Sequence, residues 1–146
     1  MIIWLASYPK SGNTWMRALV SNIIFPKTNK NINTFEKIYQ IEAYPQLKHY
    51  KEIINENDDK QTRIKKTYQN WGITQSKINI TNKLRIFKTH NFAAQFIKDN
   101  KKYQFTNLNN SVGAIHIVRD PRNIITSVTH HFSQCGYSWP RYFVAR

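Results

Sequence analysis

The chain has 146 residues, 40% of them hydrophobic, which is room for one hydrophobic core and not for two ordinary domains. Its 22 basic residues against 8 acidic ones give a formal charge of +14, so the partner it favours is anionic: a nucleotide, a nucleic acid or an acidic surface. A single cysteine, Cys135, excludes an internal disulfide, and neither Cys-x-x-Cys nor His-x-x-x-His spacing occurs to hold zinc.

Taken in chain order, the first apolar run is Ile2-Ile3-Trp4-Leu5-Ala6. It is far shorter than the roughly 20 residues of a membrane span and leads straight into polar sequence, so it reads as a buried strand and not as a signal peptide or anchor. The expectation is a soluble, cytoplasmic protein. Tyr8-Pro9-Lys10-Ser11-Gly12-Asn13-Thr14-Trp15 follows, and then a helical pattern through Met16, Leu19, Val20, Ile23 and Ile24. Strand, tight glycine-bearing loop and helix turn free backbone N–H groups and the positive end of the helix dipole toward one point, where a phosphate is held. The G-x-x-x-x-G-K-[ST] order is absent, since Lys10 precedes Gly12, and this disfavours an ATPase, GTPase or kinase of the Walker type.

Residues 26–34 read as a polar loop, and residues 35–70 as an irregular helical insert with Leu47, Tyr50, Ile53 and Ile54, broken by Pro45 and by Asn55 to Asp59. Trp71 to Asn82 reads as a polar connection. Leu84 to His90 is a second strand, Phe92 to Ile97 a short helix, and Ala114 to Val118 a third strand. Arg119 comes next, then Asp120 as a helix cap and Pro121 as the first position of a helix running to about Phe132. Strands alternating with helices imply parallel βαβ units whose ligands collect at the carboxyl ends of the strands. Lys10, Lys88, His90 and Arg119 all stand at such ends and can converge on one site. His90 is the candidate general base, because neutral imidazole accepts a proton near pH 7. The densest basic run, Arg63 to Lys66 with Lys60 nearby, is flanked by Asp58 and Asp59 and reads as a solvated helix face. With no stacking array beside it, nucleic-acid binding is disfavoured.

Three segments carry a resemblance: Tyr8 to Trp15, Lys88-Thr89-His90, and Arg119-Asp120-Pro121 with Ser127 farther along the helix. Together, and in this order, they resemble the sulfotransferase family that takes 3′-phosphoadenosine-5′-phosphosulfate (PAPS) as donor; in the first segment only Asn13 departs from the family's Tyr-Pro-Lys-Ser-Gly-Thr-Thr-Trp. The resemblance implies a P-loop-like, three-layer αβα fold around a parallel sheet, and transfer of a sulfonate to a hydroxyl or amine of a small molecule or glycan, without a metal. It implies that Lys10 serves the leaving phosphate oxygen and that Ser11, Gly12, Asn13 and Thr14 hold the 5′-phosphate. Trp15 would lie on adenine, Lys88 near the sulfonate, His90 would act as base, and Arg119 and Ser127 would address the 3′-phosphate. Asn13 is expected to cap the helix as Thr would, and the helical insert to cover the acceptor pocket. The family's later Arg-Lys-Gly-x-x-Gly loop has no counterpart before Arg146. The expectation is therefore one sulfotransferase-like domain over residues 1–146, incomplete at its C-terminus and with a sheet cut off after about three core strands. The alternative is an inactive nucleotide-binding or basic interaction fragment.

Overall fold

The computed structural model describes residues 1–25, 36–81, 83–92 and 94–134. The expected loop at 26–34, Cys135 and the chain end therefore lie outside the described residues. Strand β1 (Ile2–Ser7) runs through a tight glycine-bearing loop into helix α1 (Asn13–Ile24). A 3₁₀ turn (Glu36–Gln40), the two-residue strand β2 (Glu42–Ala43) and a second 3₁₀ turn (Leu47–Tyr50) follow, then helices α2 (Lys60–Gln69) and α3 (Trp71–Asn79). Strand β3 (Arg85–Thr89), a hairpin of β4 (Gln95–Lys98) and β5 (Lys101–Gln104), strand β6 (Ser111–Ile117) and helix α4 (Pro121–Gln134) complete the order. The four-stranded sheet has the order β2-β3-β1-β6, and every pair in it is parallel. The expected three strands are thus present, and the short β2 extends the sheet beyond β3.

β1 lies between β3 and β6 and is covered on both faces, which is why its sequence is an apolar run without alternation. On one face Trp4 and Phe87, brought abreast by the register, enter an aromatic cluster with Tyr44, Tyr50, Trp71 and Phe105. Trp4 stacks at tilted angles, 5.0 Å from Phe105 and 5.4 Å from Tyr44, and donates its indole N–H to Ser111 Oγ at 2.6 Å. The other face receives α1, whose inward stripe is Asn13, Arg17 and Ser21, one turn apart, with Ala18 beside them. β6 carries a bulge at Val112, where the register to β1 slips between Ile2 and Ile3.

Two expectations are corrected. The short helix expected over Phe92–Ile97 is the start of the β4–β5 hairpin. Its two-residue turn, Asp99-Asn100, has φ of 51° and 57°, as a primed hairpin turn requires, and Phe96 and Tyr103 pair across it and pack edge-on against Tyr68. The polar connection expected over Trp71–Asn82 is mostly α3. Its buried stripe is polar: Thr74 shares a hydrogen bond with the Tyr44 hydroxyl, while Gln75 donates to the Phe105 carbonyl at 2.6 Å and accepts from Thr106 Oγ1 at 2.7 Å. A helix buried through satisfied hydroxyls and amides leaves no hydrophobic period to read. The insert itself holds as irregular and helical, as 3₁₀ turns and α2. Among the described residues no helix is long and apolar enough to cross a membrane.

Candidate functional site

β1 ends in a turn closed by the Ser11 N–H on the Tyr8 carbonyl at 3.3 Å. Pro9 takes the second position of that turn and Lys10 the third, with φ of 64°. A turn with proline second and a positive φ third normally has glycine or asparagine there. Lys10 holds the position at a steric cost, an arrangement that collects at functional sites. Gly12 follows with φ of 97° and caps α1, and the first intrahelical bond runs from the Met16 N–H to the Gly12 carbonyl at 3.1 Å. No side chain caps this terminus, so the first-turn N–H groups face outward for an incoming acceptor. Ser11 Oγ is buried and has no partner among the described residues, which fits an oxygen-rich ligand in the cradle. Nothing stands within 4 Å of where a Gly12 Cβ would sit, so the backbone angle alone demands glycine. Gly12→Ala is accordingly expected to cost about 1–2 kcal/mol, read as a lower melting temperature and weaker nucleotide binding.

Asn13 does not cap the helix. It is 6% exposed and turned inward, with Nδ2 donating to the Leu5 carbonyl at 3.3 Å and to Ser7 Oγ at 3.0 Å. The cause is the neighbour: Gly12 takes the cap position, so Asn13 becomes the first residue of the helix on its sheet-facing stripe. Thr14 and Trp15 point outward. Trp15 is 75% exposed, so its ring is not spent in the core.

β3 pairs in register with β1 from Arg85 to Thr89, and this sets His90 beside Ser7. The His90 Nδ1 lies 2.6 Å from the Ser7 carbonyl and 3.4 Å from Ser7 Oγ. A carbonyl can only accept, so Nδ1 carries the proton and Nε2 presents its lone pair. His90 lines a cleft of about 520 Å³ with Ser7, Tyr8, Asn91, Phe92 and His116. Partial burial pushes its pKa below the usual histidine value; the bond to Ser7 opposes that shift and the charge of Lys88 adds to it. Lys88 pairs in register with Leu5, on the α1 side of the sheet. Its pKa is lowered by burial and then by the positive charge of Arg17.

β6 delivers Arg119, whose Nη1 donates to the Lys10 carbonyl at 2.9 Å and joins the third strand end to the loop. Asp120 caps α4 as expected, accepting from the Arg122 N–H at 2.9 Å. Thr126, Thr129 and Ser133 on α4 bond back to carbonyls one turn earlier. Half-buried Ser127 does not, and among the described residues its hydroxyl has no partner. The structure thus joins the Lys10 loop to Arg119 and Asn13 to Ser7 and His90, with Lys88 on the strand that delivers His90. Sequence reasoning missed two residues. His116 reads as an ordinary strand residue until β6 brings it to the cleft wall. Arg17, one turn after Asn13, donates to the Ile38 carbonyl at 2.9 Å while its buried Nε has no partner; the i, i+4 spacing was its only signal.

Grooves of similar volume lie along α3 and between α2 and the hairpin. Size does not separate them from the cleft, whereas chemistry does: the cleft is lined by Tyr8 and His90 of the motifs, and these two grooves by none of the motif residues. Among the described residues no cluster of histidine, cysteine or acidic side chains could hold a metal ion. Compared with known families, residues 2–145 match the model described as sulfotransferase domain. No curated protein and no solved structure matches the chain.

Proposed function

From a chain that belongs to the sulfotransferase domain family, we propose an enzyme that moves a sulfonate from PAPS to a hydroxyl or amine acceptor of a small molecule or glycan. The observation that carries this reading is His90, pinned through Nδ1 to Ser7 at the strand end and lining the cleft, so that in the neutral ring Nε2 holds the free lone pair. Nucleotide binding alone needs no oriented base. Nε2 takes the acceptor proton as the acceptor oxygen or nitrogen bonds to sulfur. The bond from sulfur to the 5′-phosphate oxygen breaks, and the Lys10 ammonium meets the charge left on that oxygen. Lys88 faces the sulfonate. Backbone N–H groups from Ser11 to Thr14 hold the 5′-phosphate, the solvent-exposed Trp15 ring lies on adenine, and Arg119 and Ser127 take the 3′-phosphate. The irregular segment from residue 36 to 70 covers the acceptor.

Adenosine 3′,5′-bisphosphate is expected to stabilise the chain by about 2.7 kcal/mol at a hundredfold excess over Kd, seen as a rise of several degrees in melting temperature. Stabilisation by ATP but not by the bisphosphate would refute the donor assignment. Arg119→Ala should erase the preference for the bisphosphate over AMP while leaving the AMP affinity intact. Equal losses for both nucleotides would make Arg119 a purely structural clamp on the Lys10 carbonyl.

A further inference from the structure

We propose that Asn13 is a positioning residue for His90: its buried amide fixes the end of β1 at Ser7, and Ser7 fixes the tautomer and direction of the imidazole. This builds on the reading of His90 as the base. The path is continuous in hydrogen bonds. Both protons of Asn13 Nδ2 are spent on the last residues of β1, one on the Leu5 carbonyl and one on the Ser7 hydroxyl oxygen. Leu5 offers only an acceptor there, so the amide orientation is dictated by chemistry. Ser7, itself 5% exposed, then takes the His90 Nδ1 proton on its carbonyl, with its hydroxyl close by.

The remaining Asn13 oxygen is buried and has no partner among the described residues. That is an expensive arrangement for a residue serving stability alone, because an unsatisfied buried acceptor costs about 1–3 kcal/mol. The tie it makes is specific instead. Asn13 is the residue directly after Gly12, so its backbone belongs to the phosphate cradle while its side chain braces the support of the base. One residue therefore couples the placement of the donor to the placement of the proton acceptor.

The test reads the imidazole directly, by nitrogen NMR of histidine-labelled protein, alongside transfer kinetics and bisphosphate titration. In the parent chain His90 should carry its neutral-state proton on Nδ1. In Asn13→Ala the form protonated on Nε2 should appear and kcat should fall about 10- to 100-fold, the scale of a small misplacement of a reacting group. Bisphosphate affinity should stay within about twofold. Asn13→Thr, which keeps one donor, should recover part of both the tautomer and the rate. Ser7→Ala, which keeps the carbonyl but removes the hydroxyl that Asn13 holds, should shift the tautomer in the same direction, and it decides the question if Asn13→Ala does not fold. An unchanged His90 tautomer in both alanine variants overturns the proposal, as does a loss of bisphosphate affinity as large as the loss in kcat. A parent chain that binds the bisphosphate but transfers nothing would refute the proposed reaction, while the NMR result would still decide the role of Asn13.

Discussion

His90→Ala is expected to lower kcat by about 10²-fold or more, the scale of losing a placed general base, with bisphosphate affinity within about twofold of the parent. The split follows from geometry. Among the described residues His90 is hydrogen-bonded only to Ser7, through Nδ1 to the carbonyl and more distantly to Oγ, and to no residue from Lys10 to Thr14. Truncating it removes the proton acceptor and leaves the Ser11-to-Thr14 cradle and Arg119 in place. The pH dependence carries a second signature. Partial burial lowers the His90 pKa, the Ser7 bond raises it, Lys88 lowers it further, and the net direction is down. Imidazole is therefore neutral and competent at pH 7, and activity falls only as pH drops through a value below the ordinary histidine pKa of about 6.5. His116 and Tyr8 line the same cleft, so the assignment requires that this acid limb vanish in the variant. Near-normal turnover, or an acid limb that persists, would defeat the role given to His90.

Lys10→Ala should reduce kcat by about 10²- to 10³-fold, the range for removing one group that stabilises charge forming in a transition state. The substitution deletes the ammonium and keeps the backbone bond between the Lys10 carbonyl and Arg119, so the loop remains tied to β6. Charge builds on the leaving phosphate oxygen as its bond to sulfur breaks, so the cation matters more in the transition state than in either bound nucleotide. Bisphosphate affinity should accordingly fall by a much smaller factor than kcat. Lys10→Arg separates charge from shape, and Lys10→Gly relieves the left-handed backbone while deleting the charge. If kcat and affinity fall by one common factor in labelled-donor assays, Lys10 contributes uniform binding and the leaving-group role is lost.

The strand ends were the legible part of this molecule. Ile2 to Ala6 and Ala114 to Val118 announce themselves as apolar runs and Leu84 to His90 as a short strand with a polar end; the sheet sets His90 beside Ser7 and Arg119 on the Lys10 carbonyl. Asp120 and Pro121 signalled the start of α4 because capping and proline chemistry are local. What was not legible depended on neighbours. Asn13 has the side chain of a cap, and only the presence of Gly12 in that place turns it into the core. α3 was hidden because Thr74 and Gln75 are buried by long-range partners at Tyr44, Phe105 and Thr106. The hairpin was masked by Phe96 and Ile97, whose apolar pair fits a helix or a strand equally until Tyr103 is known to lie opposite. Residues 26–35, 82, 93 and 135–146 stand outside the described structure.

Ser7 and His90 are 83 positions apart in the chain, and Lys10 and Arg119 are 109 apart. Such pairings are the slow ones in folding, because chain entropy is lost closing the loop before the contact returns anything. Until β3 has docked against β1 the imidazole has no acceptor to set its tautomer, and until β6 has docked the loop carbonyl has no arginine. A chain in which β3 and β6 have not yet docked therefore lacks both the Ser7–His90 bond and the arginine on the loop carbonyl. On the proposed reading, a nucleotide would meet a complete partner only after the parallel sheet has closed, and its binding energy would hold the finished fold together without guiding the chain on the way there.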